Sequence, residues 1–349
     1  MKKNLFKLFS LFTLFMLLSL GSCQQKDNQK IESIKFTVVA DIGVEEAKTK
    51  AEEDYQFSYI MTIDCDKDGN LYVLDYKDIC VKVFDKEGKF LRKMFKSGDG
   101  PQELRRPRRL AINKYTGNLF IIQEHGFRMK EFDPSGKFIK IHALPEQSWH
   151  YFDFIDENRL VYVSMGKFGV KKYNNFKVLN LKTRKIEKEF GPIETPTLSN
   201  TFQSFVIQKR ILWTCPGDKM EVIGYDFKTG RIIKTIPIPE DYREFKIIEG
   251  PSWQAFRLFN YAQPFFIHDE IYVFVTLQDF LPPDDKWYTH PKYREVILYR
   301  LENDQLIEMP ELPEFDFFVD FHVAWQNRII ITSSGYDLYP QIKILEKID

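Results

Sequence analysis

The sequence repeats itself with an offset of 48 residues. Three pairs of equivalent residues share this offset: Gly69 with Gly117, Asp85 with Asp133, and Gly88 with Gly136. In each copy an alternating strand follows the first Gly, and an Asp-x-x-Gly turn joins two further strands. A period of this length, made of short strands and Gly turns, is typical of a propeller blade. The repeat therefore predicts an all-β protein.

Six such units can be counted along the chain. The third strands of the first four units end at residues separated by 48, 47 and 46 positions: Asp85, Asp133, Asn180 and Asp226. Weaker copies follow at 269–301 and 326–345. We therefore predict a six-bladed β-propeller of four-stranded antiparallel blades.

The two ends of the repeat are complementary. The last unit stops after its third strand, and a separate strand, Ile34–Val39, precedes the first unit. Closing the ring would remove the sheet edges that otherwise invite aggregation. We therefore predict that the N-terminal strand completes the last blade and closes the ring.

The first 22 residues have the features of a bacterial signal peptide. Lys2, Lys3 and Lys7 precede an apolar run, Leu8–Leu20, that is too short to span a bilayer comfortably. The run ends in Leu-Gly-Ser-Cys, which resembles a lipobox, with Cys23 at the position that is lipidated. The alternative is an ordinary secretory signal that contains a cysteine.

Three segments follow from this interpretation. Residues 1–22 are predicted as a lipoprotein signal peptide, 23–32 as a lipidated tether beginning at Cys23, and 33–349 as the propeller. Several acyl chains on one cysteine anchor a protein stably. We therefore expect a membrane partner through Cys23 and a location in the bacterial cell envelope, at the outer membrane.

Charge and cysteine content exclude some classes of function. Removal of the signal peptide leaves 47 basic against 50 acidic residues, a balance that argues against a nucleic-acid partner. Cys65 and Cys80 fall on first and third strands, roughly 9–10 Å apart, which is too far for a disulfide. We expect these two and Cys215 to be buried thiols, and no cysteine or histidine cluster indicates zinc.

Residues 98–112 resemble the loop and first strand of NHL-type repeats. The matching residues are Gly98-Asp99-Gly100-Pro101-Gln102-Glu103-Leu104, Pro107 and Leu110-Ala111-Ile112. Gly-Asn-Leu-Tyr-Val at 69–73 and Phe-Asp-x-x-Gly-Lys-Phe at 84–90 continue the pattern. The chain is similar to the six-bladed, TolB-like propeller lipoproteins of Bacteroidetes, most clearly over residues 59–140. The resemblance implies a fold and a cell-envelope location but little chemistry.

The predicted topology separates two faces of the ring. The tight Gly turns within blades share one face, here called the turn face. The longer connections between second and third strands and between blades share the other, the loop face, where a binding site is expected. The candidate ligand-binding residues on the loop face are Arg108, Arg109, Glu124, His125, Arg128, Trp149, His150, Trp253, Arg257, Trp287 and His290. Arg108 and Arg109 stand nearest an inner strand and are expected at the central funnel.

These residue types favour a binding function. Arg and His beside aromatic rings suit an envelope protein, a glycan, a peptide or a small anionic ligand, unless the Arg run is only a solvated loop. The sequence predicts no catalytic residue, no metal ligand and no cofactor. The alternative is a propeller hydrolase or lyase, with or without a metal, acting in the channel, which would require three or more converging Asp, Glu, His or Asn side chains.

Overall fold

The computed structural model arranges the chain in six four-stranded antiparallel sheets. The described residues are 35–123, 127–146, 151–164, 173–193, 204–216, 221–239, 261–279, 292–309, 319–333 and 339–348. Residues Ile34–Asp349 form one compact unit. The predicted signal peptide (1–22) and tether (23–32) lie outside the described residues, and so does Cys23.

The first strand of the chain, β1 (Lys35–Ile42), belongs to the last blade. Blade 1 consists of β2 (Ile60–Cys65), β3 (Leu71–Asp75), β4 (Cys80–Phe84) and β5 (Phe90–Met94). Blade 2 consists of β6 (Pro107–Ile112), β7 (Leu119–Gln123), β8 (Arg128–Phe132) and β9 (Phe138–Ala143). Blade 3 consists of β10 (Phe152–Phe154), β11 (Arg159–Val163), β12 (Tyr173–Asn180) and β13 (Lys185–Ile193).

The remaining blades follow the same plan. Blade 4 consists of β14 (Phe205–Gln208), β15 (Ile211–Thr214), β16 (Glu221–Asp226) and β17 (Ile232–Pro237). Blade 5 consists of β18 (Tyr261–Ile267), β19 (Glu270–Asp279), β20 (Lys292–Glu302) and β21 (Gln305–Glu308). Blade 6 consists of β22 (Val319–Trp325), β23 (Arg328–Ser333), β24 (Gln341–Ile348) and β1. The first strands β2, β6, β10, β14, β18 and β22 are innermost, and contacts join β10 to β6, β6 to β2, β2 to β22, β22 to β18 and β18 to β14.

The N-terminal strand closes the ring, as the sequence predicted. Strand β1 pairs antiparallel with β24, from Lys35 opposite Ile348 to Ile42 opposite Ile342. Blade 6 also contacts the turns of blade 1: the Trp325 indole N–H donates to the Lys67 carbonyl at 3.4 Å. The prediction of a six-bladed β-propeller is confirmed.

The core of the described part lies between blades. Its buried apolar side chains form six clusters, one at each contact of neighbouring blades. Between blades 2 and 3, for example, the rings of Phe120 and Phe154 lie 4.5 Å apart, centroid to centroid. Sheet faces with large side chains pack in this way, and Phe is frequent among the buried side chains of the described residues.

One buried lysine recurs in the third strand of each of the first three blades, at Lys82, Lys130 and Lys177. The Lys82 ammonium donates to the carbonyls of Glu53 and Gln56 at 2.9 and 2.5 Å, and burial lowers its pKa. Lys130 donates in the same way to Gly100 and Glu103 at 2.9 and 2.6 Å, whereas Lys177 meets the Glu146 carboxylate at 2.6 Å. Each lysine holds the connection that leads into the inner strand of its own blade.

Helix is rare in the described residues. The sequence favoured a short helix over Val44–Tyr55, and the structure has α1 at Lys50–Glu53, begun by a capping box between Thr49 and Glu52. No helix among the described residues is long and apolar enough to cross a membrane. Cys65, Cys80 and Cys215 are buried free thiols, as expected.

Candidate functional site

The connection that precedes β6 is held in one shape and leads into two arginines on this innermost strand, Arg108 and Arg109. The Glu103 carboxylate accepts from the Gly100 N–H at 2.9 Å, and Leu104 is fully buried between blades 1 and 2. Gly98 has φ +155°, and a β-carbon there would overlap the Glu103 carboxylate. The Gly-x-Gly-x-x-Glu-Leu pattern therefore fixes where Pro107 begins the strand.

Arg108 and Arg109 stack on tyrosines of the two neighbouring blades. The pairing of β6 with β7 shifts between Pro107 and Arg109, so Arg108 lies in a bulge, a feature that commonly redirects side chains. The Arg108 guanidinium lies 5.2 Å from the centroid of the Tyr76 ring in blade 1. The Arg109 guanidinium lies 4.1 Å from the Tyr151 ring at the start of blade 3. Such pairs contribute about 0.5–2 kcal/mol and orient the cation.

Tyr76 is held at the loop-face end of blade 1 by Asp75. This carboxylate accepts from the backbone N–H groups of Ser58 and Tyr59, at 2.8 and 3.1 Å. Burial raises the pKa of Asp75 even though these hydrogen bonds favour its charged form. The Tyr76 N–H donates to the Tyr59 carbonyl at 2.9 Å, and the two rings meet edge to face. The ring under Arg108 is therefore rigidly placed.

Tyr151 reaches across the channel. The Gln263 side-chain amide on β18 lies 3.1 Å from the Tyr151 hydroxyl, and these residues come from blades 5 and 3, which are not neighbours. Gln263 is buried, 2% exposed, within an otherwise apolar inner strand. We define Tyr76, Arg108, Arg109, Tyr151 and Gln263 as the loop-face site.

Three of the buried polar atoms that have no hydrogen-bond partner in the described part of the chain belong to residues at the loop-face ends of inner and second strands. They are Nε of Arg108, Nε2 of Gln123 and the hydroxyl of Ser204. No carboxylate of the described residues lies within 4.0 Å of the Arg108 guanidinium. Buried donors and an uncompensated positive charge are suited to an anion.

Three of the predicted site residues are described. Arg108 and Arg109 lie at the loop-face end of the innermost strand of blade 2, and Arg128 is exposed at the loop-face end of β8, two strands farther out. The other predicted residues lie outside the described residues: Glu124, His125, Trp149, His150, Trp253, Arg257, Trp287 and His290.

Sequence reasoning did not select Tyr76 or Gln263, and it placed Tyr151 on the loop face beside Trp149 and His150 without including it among the candidate ligand-binding residues. Tyr76 adjoins a strand end on the loop face, and Gln263 is a polar residue in a run of apolar ones. The sequence could not predict the contact between Tyr151 and Gln263, which are 112 positions apart.

The opposite end of the channel contains a small charged group with a structural role. The Asp64 carboxylate on β2 accepts from the Ile112 N–H of β6 at 2.8 Å, and burial raises its pKa. Attraction to Asp153 and Asp64 raises the pKa of Lys114, so this lysine stays protonated. The described residues contain no group of three or more His, Cys, Asp or Glu that could hold a metal.

The fold and the loop-face site define a closed six-bladed propeller with arginines and tyrosines at its channel mouth. The chain belongs to the 6-bladed beta-propeller family DUF5128, whose family model matches residues 26–242. No curated protein matches the chain significantly.

Several solved structures share the fold. A DUF4221-family protein from Bacteroides vulgatus is 12% identical with a TM-score of 0.65, and the match covers 90% of this chain and 98% of that one. A Bacteroides fragilis protein designated "Putative exported protein" is 11% identical with a TM-score of 0.59, covering 90% and 96%. Virginiamycin B lyase from Staphylococcus aureus, solved as an inactive variant with quinupristin, is 11% identical with a TM-score of 0.51, covering 90% and 100%. At these identities the likeness concerns the fold alone.

Proposed function

We propose that this chain is a lipid-anchored protein of the cell envelope that binds an anionic ligand through the loop-face site. The observation that carries the proposal is the pair of arginines stacked on tyrosines at the channel mouth. The Nε–H of Arg108 is buried without an acceptor among the described residues. A carboxylate or phosphate oxygen on a small ligand, a glycan or a protein partner would supply that acceptor.

The site is prepared for binding before a ligand arrives. Tyr76 and Tyr151 hold the guanidinium groups, and Gln263 holds Tyr151. Side chains that are already ordered lose little entropy on binding, which leaves more of the interaction energy for affinity. The rival function, a propeller hydrolase or lyase, has no comparable observation in its favour among the described residues.

The envelope location rests on the sequence before the propeller. A basic start, an apolar run and Cys23 in a lipobox-like context support export and lipidation. The similar Bacteroides fragilis propeller carries the designation of an exported protein, which agrees with this location. Placement at the outer membrane is part of the proposal.

Changing Arg108 and Arg109 to Gln should reduce capture of the partner at least about ten-fold, because each charge-assisted hydrogen bond contributes about 1.5–3 kcal/mol. The measurement is chemical crosslinking of the anchored protein in its own envelope, followed by affinity capture and mass spectrometry. A double variant with Arg184→Gln and Arg231→Gln, two exposed turn-face positions, removes the same charge and should leave capture intact. Equal recovery from both double variants would refute the loop-face site.

Cys23→Ala should release the protein from the membrane fraction, since the acyl chains are its proposed anchor. Fractionation of cells followed by immunoblotting measures the distribution. Gln24→Ala changes the adjacent tether residue and should leave the protein membrane-bound. If Cys23→Ala remains in the membrane fraction, the lipoprotein interpretation is wrong while the loop-face site is unaffected.

A further inference from the structure

A cavity of about 690 Å³ opens on the turn face, between blades 3 and 4 and beside the first turn of blade 2. Its size falls in the range of sites for small organic ligands, roughly 300–1,000 Å³. The loop-face site lies at the other end of the inner strands, so the two regions share no residue.

Part of the cavity wall is apolar and lies on blades 3 and 4. Phe154 and Ile155 contribute from blade 3, and Ile207 and Phe227 contribute from blade 4. Tyr115 stands at the edge with 58% of its surface exposed. The walls would suit an aromatic or aliphatic ligand body.

The rim is basic. Six of the fourteen lining residues are cationic and two are acidic: the cations are Lys114, Arg159, Lys188, Lys209, Arg210 and Lys228. Some of this charge is already engaged, because Arg159 pairs with Asp156 at 2.6 Å and Lys209 with Asp269 at 3.1 Å.

Two of the six cations remain for a ligand. Lys188 donates to the carbonyls of Phe227 and Lys228, and Lys114 is held by attraction to Asp153 and Asp64, which leaves Arg210 and Lys228. No carboxylate of the described residues lies within 4.0 Å of the Arg210 or Lys228 side chain.

Arg210 occupies a strained turn. Lys209 and Arg210 form the two-residue turn between β14 and β15 with φ values of +47° and +71°. A comparable pair of positive φ values in blade 5 belongs to Asn303 and Asp304, residue types that tolerate this conformation at lower cost. A Lys-Arg pair in such a turn costs roughly 1–3 kcal/mol per strained residue and is the kind of feature found at functional sites.

We infer that this cavity binds a small amphipathic anion: an apolar body that lies between Phe154, Ile207 and Phe227, with one anionic group that meets Arg210 and Lys228. The anionic group could be a sulfate, sulfonate, phosphate or carboxylate, because each accepts charge-assisted hydrogen bonds from guanidinium and ammonium groups. This second site is independent of the proposed loop-face ligand.

The test uses anilinonaphthalene sulfonate, a fluorescent amphipathic anion, titrated into the complete mature protein. Saturable binding is expected for the unaltered protein. The Kd should rise at least ten-fold in a double variant with Arg210→Gln and Lys228→Gln, because both proposed anion contacts are lost. Gln also has a β-carbon, so the backbone cost of the turn stays unchanged.

Two controls make the result decisive. The double variant with Arg184→Gln and Arg231→Gln loses equal charge on the same face outside the cavity and should keep the original Kd. Phenylnaphthylamine, which has the same rings without the sulfonate, should bind at least ten-fold more weakly. The inference is overturned if the sulfonate probe does not saturate, if its Kd is unchanged by loss of Arg210 and Lys228, or if the neutral probe binds equally well.

Discussion

Replacement of both Phe36 and Ile42 by alanine is expected to lower the free energy of unfolding by about 5 kcal/mol or more. Both side chains are on the closing strand β1: Ile42 is 1% exposed in the cluster between blades 6 and 1, and Phe36 is 8% exposed in the cluster between blades 5 and 6. Removal of a buried Ile or Phe side chain costs about 2–5 kcal/mol each. The losses should add because the two sites share no cluster.

A loss of this size approaches the whole stability of an ordinary domain, about 5–15 kcal/mol. The ring should therefore open at β1 and expose the edge of β24. Urea unfolding followed by tryptophan fluorescence gives the free energy, and hydrogen exchange of the β24 amides reports the opening directly.

Val38→Ala with Val39→Ala is the matched control. These residues lie on the same strand but are 40% and 42% exposed, so the pair should change the free energy of unfolding by no more than about 1 kcal/mol. Similar losses in the two double variants would contradict the view that burial of Phe36 and Ile42 holds β1 in the ring.

The part of the fold that depends on local chemistry was predictable. Gly turns and alternating strands are short-range signals, and the third strand of blade 1 was predicted at Cys80–Phe84, where the structure has it. The closing strand was predictable for a different reason: the last unit lacked an outer strand and β1 had no other partner. Because one blade lacked a strand and one strand lacked a blade, the sequence predicted the pairing of β1 with the last blade.

The contacts that tie blades together could not be read from the sequence. Trp325 donates to the Lys67 carbonyl from 258 positions away, and no local pattern marks either residue. The buried lysines at 82, 130 and 177 do follow the repeat, with spacings of 48 and 47, but a lysine in a strand ordinarily indicates a solvent-facing position. The carbonyl groups that accept their hydrogen bonds lie in the connections between blades, whose conformation the sequence did not predict.

The two candidate sites also differ in how far the sequence could predict them. Arg108 and Arg109 were predictable because a run of arginines adjoins an inner strand on the face with long connections. The turn-face cavity was missed because tight turns suggest a face that serves only to join strands. Its walls come from residues of three blades, from Tyr115 to Lys228, which are brought together only by the curvature of the ring.

Gly69→Ala is expected to lower the free energy of unfolding by about 2–4 kcal/mol. Gly69 has φ +86°, a conformation that costs an L-residue about 1–2 kcal/mol. A β-carbon there would also lie 2.8 Å from the Trp325 indole, too close unless the ring moves. Displacement of the ring would disturb the contact between blades 6 and 1.

The repeat supplies the control for this prediction. Gly117 occupies the equivalent turn with φ +78°, and the nearest atom to an added β-carbon is Pro134 Cγ at 3.3 Å. Gly117→Ala should therefore cost only the backbone term, about 1–2 kcal/mol. In a Trp325→Ala background, the cost of Gly69→Ala should fall to that of Gly117→Ala. If Gly69→Ala is no more costly than Gly117→Ala with Trp325 present, the indole does not hold blades 6 and 1 together at this turn.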